Sequence, residues 1–166
     1  MTFAGLAQAA ENLVLELNQG GGTKKVVIEL KPEIAPKHVE RVKKLASEGF
    51  YDGVVFHRVI DGFMAQSGDP TGTGTGGSKY PDLPAEFSKA QFKRGTVGAA
   101  RTANPNSANS QFFICFADNS CPHLNGQYTI WGQVVEGMEA VDSIKSGAGA
   151  NGLVSNPDKI AKAYIQ

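Results

Sequence analysis

The sequence predicts a mainly β fold: a closed antiparallel barrel of about eight strands, capped by two α-helices. Short segments that are dense in aromatic and β-branched residues, or that alternate apolar with polar ones, recur along the chain. Helical periodicity appears in two places, and there is no strand–helix–strand alternation. The 166 residues include 20 glycines and 8 prolines, which fits one domain with many turns.

The first predicted elements are a hairpin and a helix. Residues 13–17 and 26–30 alternate apolar and polar side chains on either side of Gly20-Gly21-Gly22, which predicts two antiparallel strands. A helix is predicted over residues 36–48, because Pro36 suits a first turn and Gly49 suits a stop. The apolar residues on its inner face are Val39, Val42, Leu45 and Ala46.

Two strands joined by a tight turn follow this helix. Residues 54–60 and 64–68 have strand character, and Asp61-Gly62 lies between them. The stretch contains a cation, an amide and large apolar groups but no evident nucleophile, so it can bind and polarise a ligand. Strand alternation places Phe56, Arg58 and Ile60 on one face, and Met64 and Gln66 together on another.

The second half of the chain supplies the remaining strands and a shorter helix. The helix begins at residues 136–138 and carries Val141 and Ile144. Because half of each barrel strand must face inward, several residues are assigned to the core. The strands are predicted at residues 96–100, 111–116, 128–135 and 160–165. The core residues are Phe56, Val59, Ile60, Phe112 and Ile114, with Trp131 as a packing residue.

Residues 69–77 form a loop composed almost entirely of Gly, Thr and Pro. A phosphate-binding loop is the alternative, but the segment has no Lys-Ser/Thr pair and no strand-then-helix context. Glycine allows close approach of a backbone to a ligand. We therefore interpret this segment as a surface loop beside a binding site and expect no nucleotide binding.

Charge and hydropathy exclude some partners. Sixteen basic and sixteen acidic residues give a formal net charge of +0, which steers the protein neither to nucleic acid nor to anionic lipid. No apolar stretch reaches membrane-spanning length. We predict neither nucleic-acid nor membrane partners.

The two cysteines, Cys115 and Cys121, are too few for a disulfide framework, although an even number can still pair in an exported protein. Cys115 lies in an apolar run, for which a reduced and buried thiol is the default interpretation. Both cysteines with His123 can also be drawn as a metal site, but a fourth ligand and the standard spacing are missing. We predict no metal, and the sequence leaves the pairing of the cysteines open.

Several motifs together resemble one family. Residues 56–69 read FHRVIDGFMAQSGD, residues 74–77 read GTGG, residues 109–114 read NSQFFI, and Leu124-Asn125-Gly126 precedes Trp131-Gly132. From about residue 13 to residue 165, the sequence resembles the cyclophilins, a family of peptidyl-prolyl cis-trans isomerases. The resemblance implies an eight-stranded antiparallel barrel with a helix at each end and an active site on its outer surface. It also implies a cofactor-free monomer that acts on proline-containing peptides and unfolded proteins.

The resemblance assigns roles to individual residues. Arg58 is the catalytic cation, Gln66 and Gln111 hold the substrate backbone, and Thr102 is at a further contact position. His57 has the opposite strand parity to Arg58, and the reaction needs no acid or base, so we expect it to be structural. The pocket for the proline ring consists of Phe63, Met64, Phe113 and Leu124.

Three sites depart from many eukaryotic members. His123 replaces the tryptophan that contacts the inhibitor cyclosporin, Tyr128 replaces a histidine, and Arg101-Thr102 replaces an Ala-Asn pair. We infer a bacterial-type member with weak cyclosporin binding. Tyr128 keeps a ring with a polar tip, and we include both Tyr128 and His123 among the substrate-binding residues.

The chemistry explains the residue types. Resonance gives an X-Pro bond a rotation barrier of roughly 18–20 kcal/mol, and isomerisation breaks no covalent bond. A guanidinium near the proline nitrogen stabilises the twisted bond, in which that nitrogen regains its lone pair. Arg58 therefore favours an enzyme over the alternative, a non-catalytic proline-peptide binding module or holdase chaperone that uses the same groove.

Domain boundaries and location are further expectations. Residues 1–12 are predicted to be a short leader, and residues 13–166 the cyclophilin-like isomerase domain. Residues 3–10 are small and apolar, but no basic region precedes them. We expect a cytoplasmic protein, or a periplasmic one if the N-terminus is a trimmed signal peptide with Ala7-Gln8-Ala9 as its remnant.

Overall fold

The computed structural model describes residues 11–166, which form one eight-stranded antiparallel sheet and two α-helices. The sheet order is β3-β4-β6-β5-β7-β2-β1-β8. The predicted class, mainly β and antiparallel with two helices, is confirmed. The helices are α1 (Pro36–Ser47) and α2 (Met138–Asp142), and a 3-10 turn covers Pro122–Leu124. The strands are β1 (Asn12–Gln19), β2 (Gly22–Leu30), β3 (Arg58–Ile60), β4 (Met64–Ser67), β5 (Thr96–Ala99), β6 (Phe112–Cys115), β7 (Ile130–Glu136) and β8 (Lys159–Ile165).

The first hairpin and the first helix form as predicted. Leu13 lies opposite Ile28 across β1 and β2, and Gly20 at the tip has a left-handed φ of 54°. α1 begins at Pro36, and the residues predicted for its inner face are all buried. The backbone N–H groups of Lys37 and His38, in the first turn of α1, have no partner within the helix and donate to the carboxylate of Glu86.

β3 is shorter than predicted, because the residues before it pair with another strand. The carbonyl oxygen of Val54 accepts a hydrogen bond from the backbone N–H of Ile160 in β8 at 2.8 Å. Since the pairing changes here, strand alternation does not run from Phe56 to Arg58. Phe56 is fully buried, whereas Arg58 is half-buried. The prediction that these two residues share a face is therefore wrong.

The hairpin of β3 and β4 instead collects four side chains on one face. Arg58 lies opposite Gln66, and Ile60 lies opposite Met64. Directly opposed residues of an antiparallel pair project to the same side of the sheet. Arg58 and Gln66 are thus neighbours, although alternation along the sequence placed them on different faces.

Two apolar clusters fill the interior. Ile60, predicted to be core, is half-buried and packs against the smaller cluster, which lies beneath the candidate site. The larger cluster includes the other predicted core residues, Phe56, Val59, Phe112 and Ile114, together with Trp131, each at most 2% exposed. The smaller cluster contains Met64, Phe92, Phe113, Cys115, Cys121, Leu124 and Ile130.

The remaining strands lie where the sequence predicts them, with small shifts at their ends. α2 is shorter than expected, since it ends at Asp142 and the buried Ile144 lies beyond its end. Residues 1–10 of the predicted leader are outside the described residues, and Asn12 already belongs to β1. No helix in the described part of the chain is long and apolar enough to span a membrane.

Cys115 and Cys121 form a disulfide, and both residues are fully buried. Of the default interpretation of Cys115, the burial is confirmed and the reduced thiol is wrong, and the pairing that the sequence left open is thereby answered. The chain turns back after β6, which brings the two Cα atoms to 6.4 Å, within the range that a disulfide spans. Within residues 11–166, no three His, Cys, Asp or Glu side chains are arranged to hold a metal ion.

Candidate active site

A row of polar side chains crosses β3, β4 and β6. Nη1 of Arg58 donates to Oε1 of Gln66 at 3.0 Å, and Nε2 of Gln66 donates to Oε1 of Gln111 at 2.9 Å. Nε2 of Gln111 in turn donates to the carbonyl oxygens of Gly74 and Gly76, at 3.0 and 2.9 Å. The three residues predicted to be catalytic are therefore one hydrogen-bonded series that ends on the glycine loop.

A cavity of about 130 Å³ lies at the Arg58 end of this row. Most of the residues that line it have apolar or aromatic side chains, and Arg58, Gln66 and Arg101 add polar groups, so it suits a small apolar group held beside hydrogen-bond donors. Every residue predicted for the proline pocket lines it, as does Tyr128. The lining consists of Arg58, Phe63, Met64, Gln66, Ala100, Arg101, Phe113, Leu124 and Tyr128.

Phe113 supports the floor of this cavity. Its ring stacks on Phe92 with centroids 5.5 Å apart and meets the Tyr128 ring edge-on at 5.8 Å. Behind the rings, Gly98 leaves the space they need, because a Cβ there would lie 2.7 Å from both Phe113 and Phe92. The position of the aromatic floor is therefore fixed by close packing on both sides.

A second, larger cavity of about 720 Å³ adjoins the first. It shares Gln66, Ala100 and Arg101 with the smaller one, and Thr102 and Gln111 line it. Thr102 therefore lies beside the predicted substrate-backbone residues but outside the proline pocket. His123 lines neither cavity, and its ring packs against that of Phe63 with centroids 5.3 Å apart.

Comparison with known proteins identifies the family. The family described as "Cyclophilin type peptidyl-prolyl cis-trans isomerase/CLD" matches residues 14–165. The chain belongs to the cyclophilin family. A probable peptidyl-prolyl cis-trans isomerase of Brucella suis biovar 1 is 57% identical over 175 aligned positions, covering 98% of this chain and 86% of the relative. Peptidyl-prolyl cis-trans isomerase B of Bacillus subtilis is 44% identical, covering 74% of this chain and 85% of the relative.

Solved structures with a similar fold belong to the same family. A cyclophilin-type isomerase of Cryptosporidium parvum, crystallised in the presence of the dipeptide Ala-Pro, has a TM-score of 0.81 and 29% identity over 93% of this chain and 98% of its own. A second structure of the same protein has a TM-score of 0.83 and 30% identity, over 95% and 98%. This cyclophilin is thus a peptidyl-prolyl cis-trans isomerase, as predicted, and the reaction at its site is a bond rotation.

Two contacts of the site were missed by sequence reasoning. Arg101 was noticed only as a departure from eukaryotic members, yet its guanidinium carbon lies 4.4 Å from the Tyr128 ring centroid. Its Nε and Nη2 also donate to the carbonyl oxygen of Gln127 at 3.1 and 2.6 Å. The other contact is a backbone carbonyl, that of Asn151, which accepts from Nε of Arg58 at 3.0 Å. A backbone atom has no side-chain signature in a sequence.

Two titratable groups lie beneath the glycine loop. Burial lowers the pKa of His57, Asp69 opposes the change, and Arg58 adds to it, so the imidazole is neutral at about pH 7. Neither of its nitrogens has a hydrogen-bond partner among the described residues. Burial alone would raise the pKa of Asp69, but hydrogen bonds from Thr71, Gly76 and Gly74 outweigh it and lower the pKa from 3.8 to about 2. Neither group lines either cavity; Asp69 holds the loop through these hydrogen bonds, and a Cβ at Gly74 would lie 3.6 Å from the His57 ring.

Proposed function

We propose that this cyclophilin accelerates X-Pro rotation by aiming the guanidinium of Arg58 at the proline nitrogen while the small cavity holds the ring. One observation carries the proposal: the guanidinium is fixed at Nε and Nη1 and lines the small cavity beside Phe113 and Leu124. Its Nη2 has no hydrogen-bond partner within residues 11–166, which leaves a donor for substrate.

The energetic argument follows from amide resonance. The planar ground state delocalises the nitrogen lone pair, which gives a barrier of roughly 18–20 kcal/mol. At the twisted transition state the lone pair is localised on nitrogen and can accept a hydrogen bond. Arg58 therefore binds the transition state more strongly than either planar isomer, which is the condition for acceleration. The surrounding apolar wall strengthens this interaction because it excludes water.

The other residues of the site are proposed to hold the substrate. Met64, Phe113 and Leu124 are at most 8% exposed and supply a rigid apolar wall for the ring. Gln66 and Gln111 are anchored to their neighbours and can bind the substrate backbone beside the proline. With one side held, rotation is confined to a single bond. The proposed substrates are proline-containing peptides and unfolded protein segments, bound by a monomer.

Replacing Arg58 by alanine tests the proposal. We expect Arg58→Ala to lower kcat/KM by roughly 10²–10³-fold, the usual effect of losing one donor to a transition state. The affinity for a proline peptide should stay close to the wild-type value, because the cavity wall remains. A protease-coupled assay or NMR exchange measures the rate, and calorimetry measures the affinity. Arg58→Lys, which keeps the charge and loses the planar fork, should be intermediate.

The matched control is Arg94→Ala. Arg94 is an exposed arginine paired with Asp142, so its loss should leave the rate unchanged. If Arg58→Ala and wild type isomerise at the same rate while peptide binding persists, the proposed mechanism is wrong. That outcome would favour the non-catalytic use of the groove as a binding module or holdase.

Three further properties are proposed for this chain. We propose that the sheet closes into a barrel, a proposal supported by the hydrogen bond between Val54 and Ile160, which joins the segment before β3 to β8.

We propose weak cyclosporin binding, because His123 replaces the tryptophan of other members and lies outside both cavities. Of the two expected locations we now propose the periplasmic one over the cytoplasmic one, since disulfides persist in oxidising compartments.

A further inference from the structure

Residues 147–153 form a glycine-rich loop that packs along the outer edge of β3. The backbone N–H of Val59 donates to the carbonyl oxygen of Gly152 at 2.8 Å, and the N–H of Gly147 donates to the carbonyl oxygen of Val59 at 2.9 Å. Leu153 forms an antiparallel bridge with Arg58. The loop thus continues the sheet beyond β3 and lies beside the residue that carries the proposed catalytic cation.

The same loop also contacts the Arg58 side chain. The carbonyl oxygen of Asn151 accepts from Nε at 3.0 Å, while Gln66 accepts from Nη1 at the same distance. A guanidinium is planar, and two hydrogen bonds to different nitrogens fix both the position and the plane of the group. With Gln66 alone, the guanidinium could still turn about that one bond. The Asn151 carbonyl therefore determines where Nη2 lies.

Gly152 places this carbonyl by its lack of a side chain. Its φ is +68°, a conformation that L side chains rarely adopt. A Cβ at this position would lie 2.5 Å from Cγ1 of Ile60 and 2.9 Å from the carbonyl oxygen of Val59. A larger residue would push the loop away from β3, and the Asn151 carbonyl would move with it.

We infer that Gly152, acting through the Asn151 carbonyl, is a positioning residue for the isomerase reaction: it holds the Arg58 guanidinium in its productive orientation. The inference rests on the proposed role of Arg58. It predicts a specific kinetic signature, because a misplaced cation weakens transition-state stabilisation and leaves the apolar cavity intact. The rate should fall while affinity for the substrate is retained.

Gly149 offers a matched control in the same loop. Its φ is +73°, close to that of Gly152, but a Cβ there would meet nothing within 4 Å. Gly149→Ala and Gly152→Ala therefore introduce the same methyl group into the same backbone conformation, and only the second collides with β3. We expect Gly152→Ala to lower kcat/KM by about tenfold or more, as displacement of a catalytic group by about 1 Å can do. Gly149→Ala should retain wild-type kinetics, and both variants should bind a proline peptide as wild type does.

A double-mutant cycle separates positioning from general damage. In an Arg58→Ala background, Gly152→Ala should cause no further loss, because there is no guanidinium left to misplace. If the loss persists in that background, or if Gly152→Ala is as active as Gly149→Ala, the inference is wrong. If Arg58→Ala itself is fully active, the proposed function fails instead, so the two failures are distinguishable.

A measurement on the unmodified protein covers the case in which Gly152→Ala does not fold. The Nε–H proton of Arg58, assigned by its disappearance in Arg58→Ala, should exchange with water more slowly than that of Arg94. The hydrogen bonds of Arg94 run from Nη1 and Nη2. Equal or faster exchange at Arg58 would overturn the inference, because the Asn151 contact would then be too weak to orient the group.

Discussion

The two cavities, which share Gln66, Ala100 and Arg101, are enclosed by different kinds of structure. The apolar side of the smaller one is formed by side chains of β4, β6 and the 3-10 turn that belong to a buried apolar cluster. The larger one is enclosed by the glycine loop and the segment that follows β5, where polar side chains and backbone carbonyls form the lining. One wall is therefore made by packing and the other by hydrogen bonds.

The supports behind the two walls differ in the same way. The disulfide between Cys115 and Cys121 joins the end of β6 to the 3-10 turn, which carries Leu124 of the smaller cavity. Behind the larger cavity, the buried carboxylate of Asp69 accepts from the backbone N–H of Gly74 at 2.6 Å and of Gly76 at 3.1 Å. The carbonyl oxygens of the same two glycines accept hydrogen bonds from Nε2 of Gln111. The first support should respond to reductant and the second to acid.

Reduction of the disulfide is expected to have the largest effect on stability. The bond closes a short loop, and the chain-entropy relation gives between about 2 and 3 kcal/mol for a loop of this size. Treatment with a thiol reductant should lower the free energy of unfolding in urea by that amount. We also expect KM to rise more than kcat falls, because the 3-10 turn supports the proline pocket and not the cation.

The control for this experiment is the double variant Cys115→Ala/Cys121→Ala, whose unfolding should be insensitive to the reductant. Thiol labelling confirms that reduction of the wild-type protein is complete. If its unfolding in urea and its KM are then unchanged by the reductant, the disulfide does not support the pocket. The smaller cavity would then depend on the packing of its side chains alone.

Asp69→Asn should destabilise the protein by about 2 kcal/mol at neutral pH. The pKa of Asp69 is about 2 in the fold, below its ordinary 3.8, so the unfolded chain binds the proton more readily. The stabilisation is therefore present above about pH 4 and is lost as the pH falls through 2. Asparagine also presents an NH₂ group where Gly74 and Gly76 need an acceptor. Urea unfolding as a function of pH measures the effect.

Asp142→Asn provides the contrast. That carboxylate is exposed and paired with Arg94, so its removal should change stability by less than about 1 kcal/mol. In Asp69→Asn, the difference from wild type should shrink as the pH is lowered from about 4 to 2, because the wild type loses the same stabilisation. A constant difference across this range would mean that the loop does not depend on the charge of Asp69.

The sequence predicted the packed side chains of the smaller cavity better than the backbone groups around the site. Phe63, Met64, Phe113 and Leu124 belong to motifs with distinctive residue types, and they meet around one cavity. The placement of Phe56 failed for a physical reason: alternation assumes one continuous pairing, and the chain changes partner before β3. Strand boundaries of this kind depend on residues more than a hundred positions away.

Two other features could not be predicted for related reasons. The disulfide requires two Cα atoms to approach within bonding range, and this distance is set by the path of the chain after β6. The Asn151 carbonyl is a backbone atom, so any residue type at position 151 could supply it. The only sequence feature linked to it is the neighbouring Gly152, and a glycine in a loop can be present for many conformational reasons.

Thr102→Ala should have the smallest effect and measures how much the larger cavity contributes to binding. The Thr102 hydroxyl pairs with the Ser107 hydroxyl at 2.8 Å and accepts from the N–H of Asn104 at 3.2 Å, so it shapes an exposed loop. An exposed hydrogen bond of this kind is worth about 1 kcal/mol or less, and we expect kcat/KM to fall by about threefold, mainly through KM. Thr102→Ser keeps the hydroxyl and should match wild type. A loss of tenfold or more in Thr102→Ala, measured with the same peptide, would show that the hydrogen-bonded wall contributes to substrate binding as much as the packed one.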